Sequence, residues 1–291
     1  MSPSAIPDVD PPSRHPAPAP RKLPAGTCDA HMHVFGPPVR YPLDERRGYT
    51  PHPASLDQYR EVMAALGIAR AVIVQPSVYG TDHAMLLDTL RAAGPAFRGV
   101  AVPHPRIAQS ELRALHEAGV RGIRLNLVNT PVVDADETLA ILHEMASSGW
   151  HLQVFADMNA QGAELERLCG RIDAPVVIDH MGRLDPATAD SPVLGLLREG
   201  RCWVKLSAPY RVSRRPAPHE DLAPMVERLM RANPARLLWG SDWPHTEQHG
   251  AVPSAASLAE LLHRWLPDAD LLRRVCVDNP GALYLFDPPL P

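Results

Sequence analysis

Residues 27–37 read TCDAHMHVFGP, a short apolar start followed by two histidines separated by one residue, near the beginning of the chain. On an extended strand rising about 3.3 Å per residue, His31 and His33 face the same side roughly 6.6 Å apart, so their imidazoles can converge on one ion or one substrate atom. The spacing alone leaves three roles open: metal ligands, groups that touch a substrate, or two satisfied structural histidines. What surrounds the pair decides the fold, because this stretch is the first of eight β-rich runs.

The others are ARAVIVQPS (69–77), FRGVAVP (97–103), VRGIRLNL (120–127), HLQVFAD (151–157), APVVIDHMG (174–182), CWVKLSA (202–208) and RLLWGSDW (236–243). Between them lie amphipathic segments such as SLDQYREVMAALG, HAMLLDTLRAAG, QSELRALHEAG, DETLAILHEMASSG and NAQGAELERLCG. Several begin on Ser, Asp or Asn, whose side chains cap helix N-termini, and end on Gly, which tolerates the left-handed turn that closes a helix. Eight strand and helix units in 291 residues predict one (β/α)8 barrel, an α/β fold, over residues 25–291 rather than an open doubly wound sheet. The segments SAASLAELLHRWL and DADLLRRVCVDNPGALYLF supply the last barrel helix and a closing C-terminal helix.

Residues 1–24, MSPSAIPDVDPPSRHPAPAPRKLP, hold eight prolines and almost no bulky apolar side chains. They read as an extended arm, unable to form a packed element and lacking the apolar core of a signal peptide, with docking or strapping a neighbouring subunit as its functional alternative. No apolar run reaches the 18 residues a membrane helix needs. Charged residues make up 21% of the chain and the formal net charge is −4, so no electrostatic case exists for nucleic acid or an anionic membrane, and the expected partner is a small molecule. Cys28, Cys169, Cys202 and Cys276 are scattered without a CxxC, which argues against a disulfide framework or a cysteine zinc site and for a reducing cytoplasm. Assembly into a homo-oligomer is left open.

Barrel active sites lie at the C-terminal ends of the strands, so polar residues closing otherwise apolar runs are the informative ones. With a period of two, the inward-facing ends are His31 and His33, Gln75 and Ser77, Arg124 and Asn126, Gln153, His180, Lys205 and Ser207, and Asp242. Polar groups converging on one rim from seven of eight strands favour a binding cavity over a set of isolated structural residues. His245 is close enough in sequence to Asp242 to orient it. His83 is placed at a helix start, and His116, His143 and His263 read as helix-packing or surface residues.

Taken in order, HMH, HVFGP, QPSVYGTD, RGIRLN, VVIDHMGR, SAPYR, LLWGSDWPH and NPGALYLF resemble the amidohydrolase superfamily over residues 27–286. Within it the motifs are most similar to the 2-pyrone-4,6-dicarboxylate lactonases and related lactonases. The resemblance implies hydrolysis of a carboxylated lactone in aromatic-compound catabolism, with Asp242 as the base that takes a proton from water. It also places His31, His33 and His180 at the superfamily's histidine positions, where they hold a divalent metal or contact the substrate carbonyl.

The further ligands that a metal centre of this superfamily usually draws on, a Lys or Glu ending strand four and a His ending strand five, are missing from RGIRLN and LQVFAD, although Asp157 lies near that mouth. One Zn²⁺ could still be held by His31, His33, His180 and Asp242. In the lactonases that this chain resembles the reduced set works without metal, and the metal-free reading is preferred here. Arg124, Arg183 and Arg211 suit bidentate binding of substrate carboxylates, with Tyr49, Ser77 and Tyr79 as neutral hydrogen-bonding candidates. One departure stands out: the family carries another basic residue shortly after RGIRLN, whereas this chain continues LVNTPVVDAD, with Asn129 and Thr130 and no Lys or Arg. The expected substrate therefore bears one fewer acidic group, or a different one. The competing readings are a zinc-dependent sugar lactonase or aromatic or muconate acid decarboxylase, and a non-catalytic carboxylate-binding barrel.

Overall fold

All eight predicted strands form, and they pair in parallel in chain order. They are β1 (Cys28–Met32), β2 (Arg70–Val74), β3 (Phe97–Ala101), β4 (Val120–Asn126), β5 (His151–Phe155), β6 (Val176–Ile178), β7 (Cys202–Ser207) and β8 (Leu237–Gly240). The structure, a computed structural model, describes residues 6–8, 11, 17–128, 133–247 and 253–287. Asn129 and Thr130, and most of the proline-rich arm, lie outside the described residues.

Each strand is followed by a helix: α1 (Leu56–Leu66), α2 (Ala84–Ala93), α3 (Gln109–Glu117), α4 (Ala135–Glu144), α5 (Met158–Arg171), α6 (Pro192–Arg198), α7 (Ala223–Ala232) and α8 (Ala255–Trp265). The capping residues start them as expected. Ser55 and Gln58 form a reciprocal capping box on α1, which stops at Gly67 with φ +82°, and Asp134 and Glu137 do the same for α4. Asp157 accepts from Asn159 N at 3.1 Å as the cap of α5, so it is spent on the helix and not offered to the barrel mouth.

Strand residues divide between two sets. Ala71, Ile73, Val176, Ile178, Leu237 and Trp239 pack in the cluster shared with the helices, whereas Val72, Val74, Val177, Trp203 and Leu238 form a second cluster with Leu283, Tyr284 and Phe286. The alternation identifies the second set as the barrel interior, closed at its N-terminal end by the C-terminal segment. Arg70 and Arg98 pin that segment, donating to the carbonyls of Val277, Tyr284 and Leu285 and flanking the Phe286 ring at 5.0 and 4.5 Å.

The seam between β1 and β8 positions the chemistry. Asp242 N donates to His31 O at 2.9 Å, and His33 N donates to Trp243 O at 2.8 Å. Below them Asp29 takes Ser241 N, Ser241 Oγ, His31 N and Tyr59 Oη, tying both strands to α1. Gly240 permits the approach, since a Cβ there would lie 2.7 Å from His31 Cβ.

The described part of the arm is not a free strap. Leu23 is buried, Leu23 N and Lys22 Nζ donate to the end of α1, and Arg21 pairs with Glu260 of α8 at 3.1 Å. Those bonds fasten residues 21–23, the end of the arm, to the chain's own barrel. No helix among the described residues is long and apolar enough to cross a membrane.

Candidate active site

A cavity opens at the C-terminal end of the strands, lined by His33, Tyr49, Ser77, Arg124, Asn126, Phe155, His180, Arg211, Asp242, Thr246 and Glu247. Asp242 stands at its floor with φ +56°, a left-handed conformation that a non-glycine residue adopts only where its surroundings enforce it. One of its oxygens is committed: Oδ2 accepts from Tyr210 Oη at 2.5 Å and from Arg211 Nε at 3.2 Å. The other, Oδ1, is buried, accepts no hydrogen bond within 3.5 Å, and faces three imidazoles, 3.6 Å from His31 Nε2, 3.6 Å from His33 Nε2 and 3.8 Å from His180 Nε2. Burial alone would raise the carboxyl's pKa, but the Arg211 guanidinium and the surrounding imidazoles outweigh it and hold the group well below the usual carboxylate range.

The far nitrogen of each imidazole is anchored. His33 Nδ1 donates to Val74 O at 2.7 Å, a carbonyl that can only accept, so in neutral His33 the Nε2 lone pair points into the site. His180 Nδ1 meets Ser207 Oγ at 2.8 Å. His31 Nδ1 lies 3.2 Å from Asp179 Oδ1 and 3.3 Å from Lys205 Nζ. Asp179 and Lys205 are fully buried and joined to Gln153, which donates to Asp179 Oδ2 at 3.0 Å and accepts from Lys205 at 2.7 Å. Burial lowers the Lys205 pKa and the Asp179 charge resists that fall.

His180 begins an unusual turn. His180, Met181, Gly182 and Arg183 all have positive φ, from +50° to +67°. Such a run costs roughly 1–2 kcal/mol for each non-glycine residue, and it swings His180 into the barrel beside Asp179.

His180, His245 and His151 stay neutral near pH 7: burial pushes His180 and His245 down to about 4, and His151, deeper in the barrel, to about 3. Between the ordinary value of 6.5 and those lowered values, the unfolded chain binds protons that the folded protein refuses. Stability is therefore expected to fall as pH drops from ~6.5 toward ~4, by on the order of 3 kcal/mol per histidine at most. Asp29, raised by burial, works against this trend above its ordinary value of 3.8, where the folded protein holds a proton that the unfolded chain releases. Urea midpoints at about pH 7.5 and 5 measure the slope, and equal midpoints would contradict neutral buried histidines.

The residues singled out in the sequence divide clearly. His31, His33, His180 and Asp242 come together, and Arg124, Arg211, Tyr49 and Ser77 reach the cavity or its edge. Arg211, however, is spent on protein groups: besides Asp242 it holds Glu247 Oε2 at 3.0 Å and the Thr246 carbonyl and hydroxyl. Tyr79 and Arg183 are not among the lining residues. The Tyr79 hydroxyl accepts from Gly36 N at 3.0 Å, and Arg183 lies over Phe155, its carbonyl bonded to Asn159. Gln75 faces away from the interior, fastening Val102, Gly80 and Asp82, because Val72 and Val74 take the inward positions of β2. His245 orients Asp242 at one remove: its ring lies 3.3 Å from Tyr210 Oη, and its N–H closes a turn onto Asp242 O. Tyr210, Asp179 and Glu247 are site residues that the strand pattern did not single out, although SAPYR and VVIDHMGR contain the first two.

Three of these donors, His31, His33 and Asp242, also suit one metal ion by distance, whereas His180 does not fall within the same group. His31 Nε2 and His33 Nε2 are 3.3 Å apart, and each lies 3.6 Å from Asp242 Oδ1, close to the edges of about 3.4 Å that a tetrahedral ion with donors near 2.1 Å requires.

The chain is similar along most of its length to several known proteins. The chain is 36% identical over 279 residues to a 2-pyrone-4,6-dicarboxylate hydrolase of Comamonas testosteroni, spanning 90% of this chain and 91% of that protein. It is 34% identical to a 4-sulfomuconolactone hydrolase of Rhizobium radiobacter over 97% of both. A crystal structure of a probable 2-pyrone-4,6-dicarboxylic acid hydrolase from Acinetobacter baumannii, with citric acid bound, superposes with a TM-score of 0.80 at 27% identity, covering 90% of this chain and all of that one. With residues 28–286 matching the family model described as amidohydrolase, the chain belongs to the amidohydrolase family.

Proposed function

We propose that the protein hydrolyses an anionic lactone, with Asp242 as general base. The observation that carries this reading is the division of labour on one carboxylate: Oδ2 is tied to Tyr210 and Arg211, while Oδ1 is buried, ionised and turned to the cavity. A water beside Oδ1 gives up its proton as its oxygen attacks the lactone carbonyl, the carbonyl oxygen gains charge, and the ring C–O bond then breaks to release the open acid. With the Ser207 hydroxyl donating to Nδ1, His180 carries its proton on Nε2 and offers it to the oxyanion. The ring oxygen of an enol ester leaves readily, so neutral donors suffice where an amide would need stronger polarisation. Relatives whose names denote hydrolysis of lactones bearing carboxylate or sulfonate support the substrate class, as does Arg124 in the cavity wall.

Arg124 is the anchor for the anionic group. Its Nη1 donates to Gln75 O at 3.2 Å, while its buried Nε has no hydrogen-bond partner in the protein. A substrate carboxylate supplies that partner. Arg124→Gln is expected to raise KM for an anionic lactone about 10- to 100-fold, the worth of one charge-assisted pair, with a smaller effect on kcat. Equal loss on a neutral ester of the same lactone would remove Arg124 as the anchor.

The direct test is acid release measured by pH-stat across pyrone carboxylates, muconolactones and sugar lactones. Turnover confined to carboxylated or sulfonated lactones is the expected result, and activity on sugar lactones alone would overturn the assignment. The second reading is a single Zn²⁺ held by His31, His33, His180 and Asp242; the separations among His31, His33 and Asp242 favour it, and His180 would have to move closer to complete the set. When bound, such an ion supplies Lewis-acid polarisation and a more acidic water. Zinc retained in stoichiometric amount, with turnover lost on chelation, would select it over the metal-free reading.

A further inference from the structure

Directly beneath His31 lies a fully buried ammonium whose hydrogen bonds decide what His31 presents to the site. Lys205 Nζ has three protons and three acceptors within reach: Gln153 Oε1 at 2.7 Å, Asp179 Oδ1 at 3.2 Å and His31 Nδ1 at 3.3 Å. The Gln153 amide is oriented by its own donation to Asp179 Oδ2, so its oxygen is the atom that meets the lysine. The third proton finds its acceptor at 3.3 Å when His31 Nδ1 is a bare lone pair, in competition with the Nδ1–H to Asp179 Oδ1 bond that their 3.2 Å separation would otherwise allow. The opposite tautomer, with Nδ1–H directed at Asp179, would press an N–H against the ammonium and strand the third lysine proton in a site without exposed surface.

We propose that Lys205 is a positioning residue that holds His31 in the tautomer protonated on Nε2, turning the HMH pair from half of a metal site into a hydrogen-bond relay. The neighbours complete the relay. His33 presents its Nε2 lone pair 3.3 Å from His31 Nε2, because its Nδ1 proton is committed to Val74 O. Asp242 Oδ1 lies 3.6 Å away, too far to accept that proton in a hydrogen bond, and stays open to the cavity. A metal ligand in this position needs the reverse arrangement, with the far N–H given to an acceptor and the near nitrogen bare. The separations above fit an ion, and the hydrogen count one layer below does not. Arg124 Nε, 3.9 Å from Asp179 Oδ2, adds a second cation to the same carboxylate and further disfavours a dication above it.

This inference rests on the metal-free form of the proposed function and not on the identity of the lactone. Its test is therefore read without turnover. In protein labelled with ¹⁵N-histidine, imidazole shifts and long-range couplings distinguish the two neutral tautomers, and His31 is assigned from the signal missing in His31→Asn. The expected result for the unaltered protein is protonation at Nε2, and protonation at Nδ1 would overturn the proposal even if lactone hydrolysis is found. In Lys205→Met the Nδ1 acceptor loses its donor, so His31 is expected to switch to Nδ1–H bonded to Asp179. Zinc affinity, measured by competition with a chromophoric chelator, is then expected to rise at least about tenfold, an effect that loss of packing alone would not produce. A folded Lys205→Met protein with unchanged tautomer and zinc affinity would also overturn it, and the measurement on the unaltered protein stands if that variant does not fold.

Discussion

Asp242→Asn is expected to lower kcat about 10²- to 10⁴-fold on the lactone that the protein turns over, while leaving it folded. The environment dictates how the amide would sit. Tyr210 Oη and Arg211 Nε both donate to Oδ2 and neither can accept there in its present orientation, so the amide oxygen stays on that side and the NH₂ turns into the cavity. A donor would then occupy the place where a proton must be received. Arg211 keeps Glu247 at 3.0 Å and the Thr246 carbonyl, which limits the structural damage from the lost charge. Steady-state kinetics beside a urea unfolding curve separates the two effects. Residual activity above about a hundredth, in a protein with an unchanged midpoint, would remove Asp242 as the base.

How much of this was legible in the sequence depended on whether a side chain's direction follows from its strand. The eight strands were legible because a parallel barrel buries both faces of each strand, leaving apolar runs of five or six residues between capped helices. The same double burial hides parity. In APVVI every residue is apolar, so nothing in the sequence says that Val177, and with it Asp179, faces inward while Val176 and Ile178 face the helices. His180 reaches the site by a different route from strand parity: it is off the inward register and enters through the left-handed turn that begins at it. In β1 the pairing register shifts between Asp29 and Met32, which brings His31 and His33 inward after Cys28 and Ala30 have filled the interior. A bulge of this kind leaves no pattern to read.

Loop residues were the least accessible. Tyr210 and Glu247 reach the site from turns whose course no periodicity predicts, and Arg211 was expected to bind substrate yet arrives already paired to Asp242. The cost of that pairing falls on recognition: among the arginines singled out in the sequence, Arg124 alone both lines the cavity and keeps a guanidinium N–H without a hydrogen bond, its protein carboxylate, Asp179, lying 3.9 Å away.

The second large effect is expected in stability and at a residue that touches no substrate. Asp179→Asn should destabilise the protein by about 3–5 kcal/mol, the usual consequence of removing one partner from a buried ion pair. Asp179 is fully buried and serves Lys205 through Oδ1, with His31 Nδ1 3.2 Å from the same oxygen, and Gln153 through Oδ2, with Arg124 3.9 Å away, so two cations depend on a single negative charge. An asparagine retains an acceptor for one neighbour and none of the charge. Lys205 would then be an uncompensated ammonium in a layer that water does not reach, and burial would drive it toward its neutral form. Removing the lysine as well should recover much of the loss, because Asp179→Asn with Lys205→Met leaves no orphaned ammonium. Urea unfolding of the two single variants and the double variant forms a thermodynamic cycle in which a coupling of more than about 1 kcal/mol is expected. Additive losses would mean that the carboxylate is held for its hydrogen bonds alone, and the charge beneath the histidines would then have no part in holding the site together.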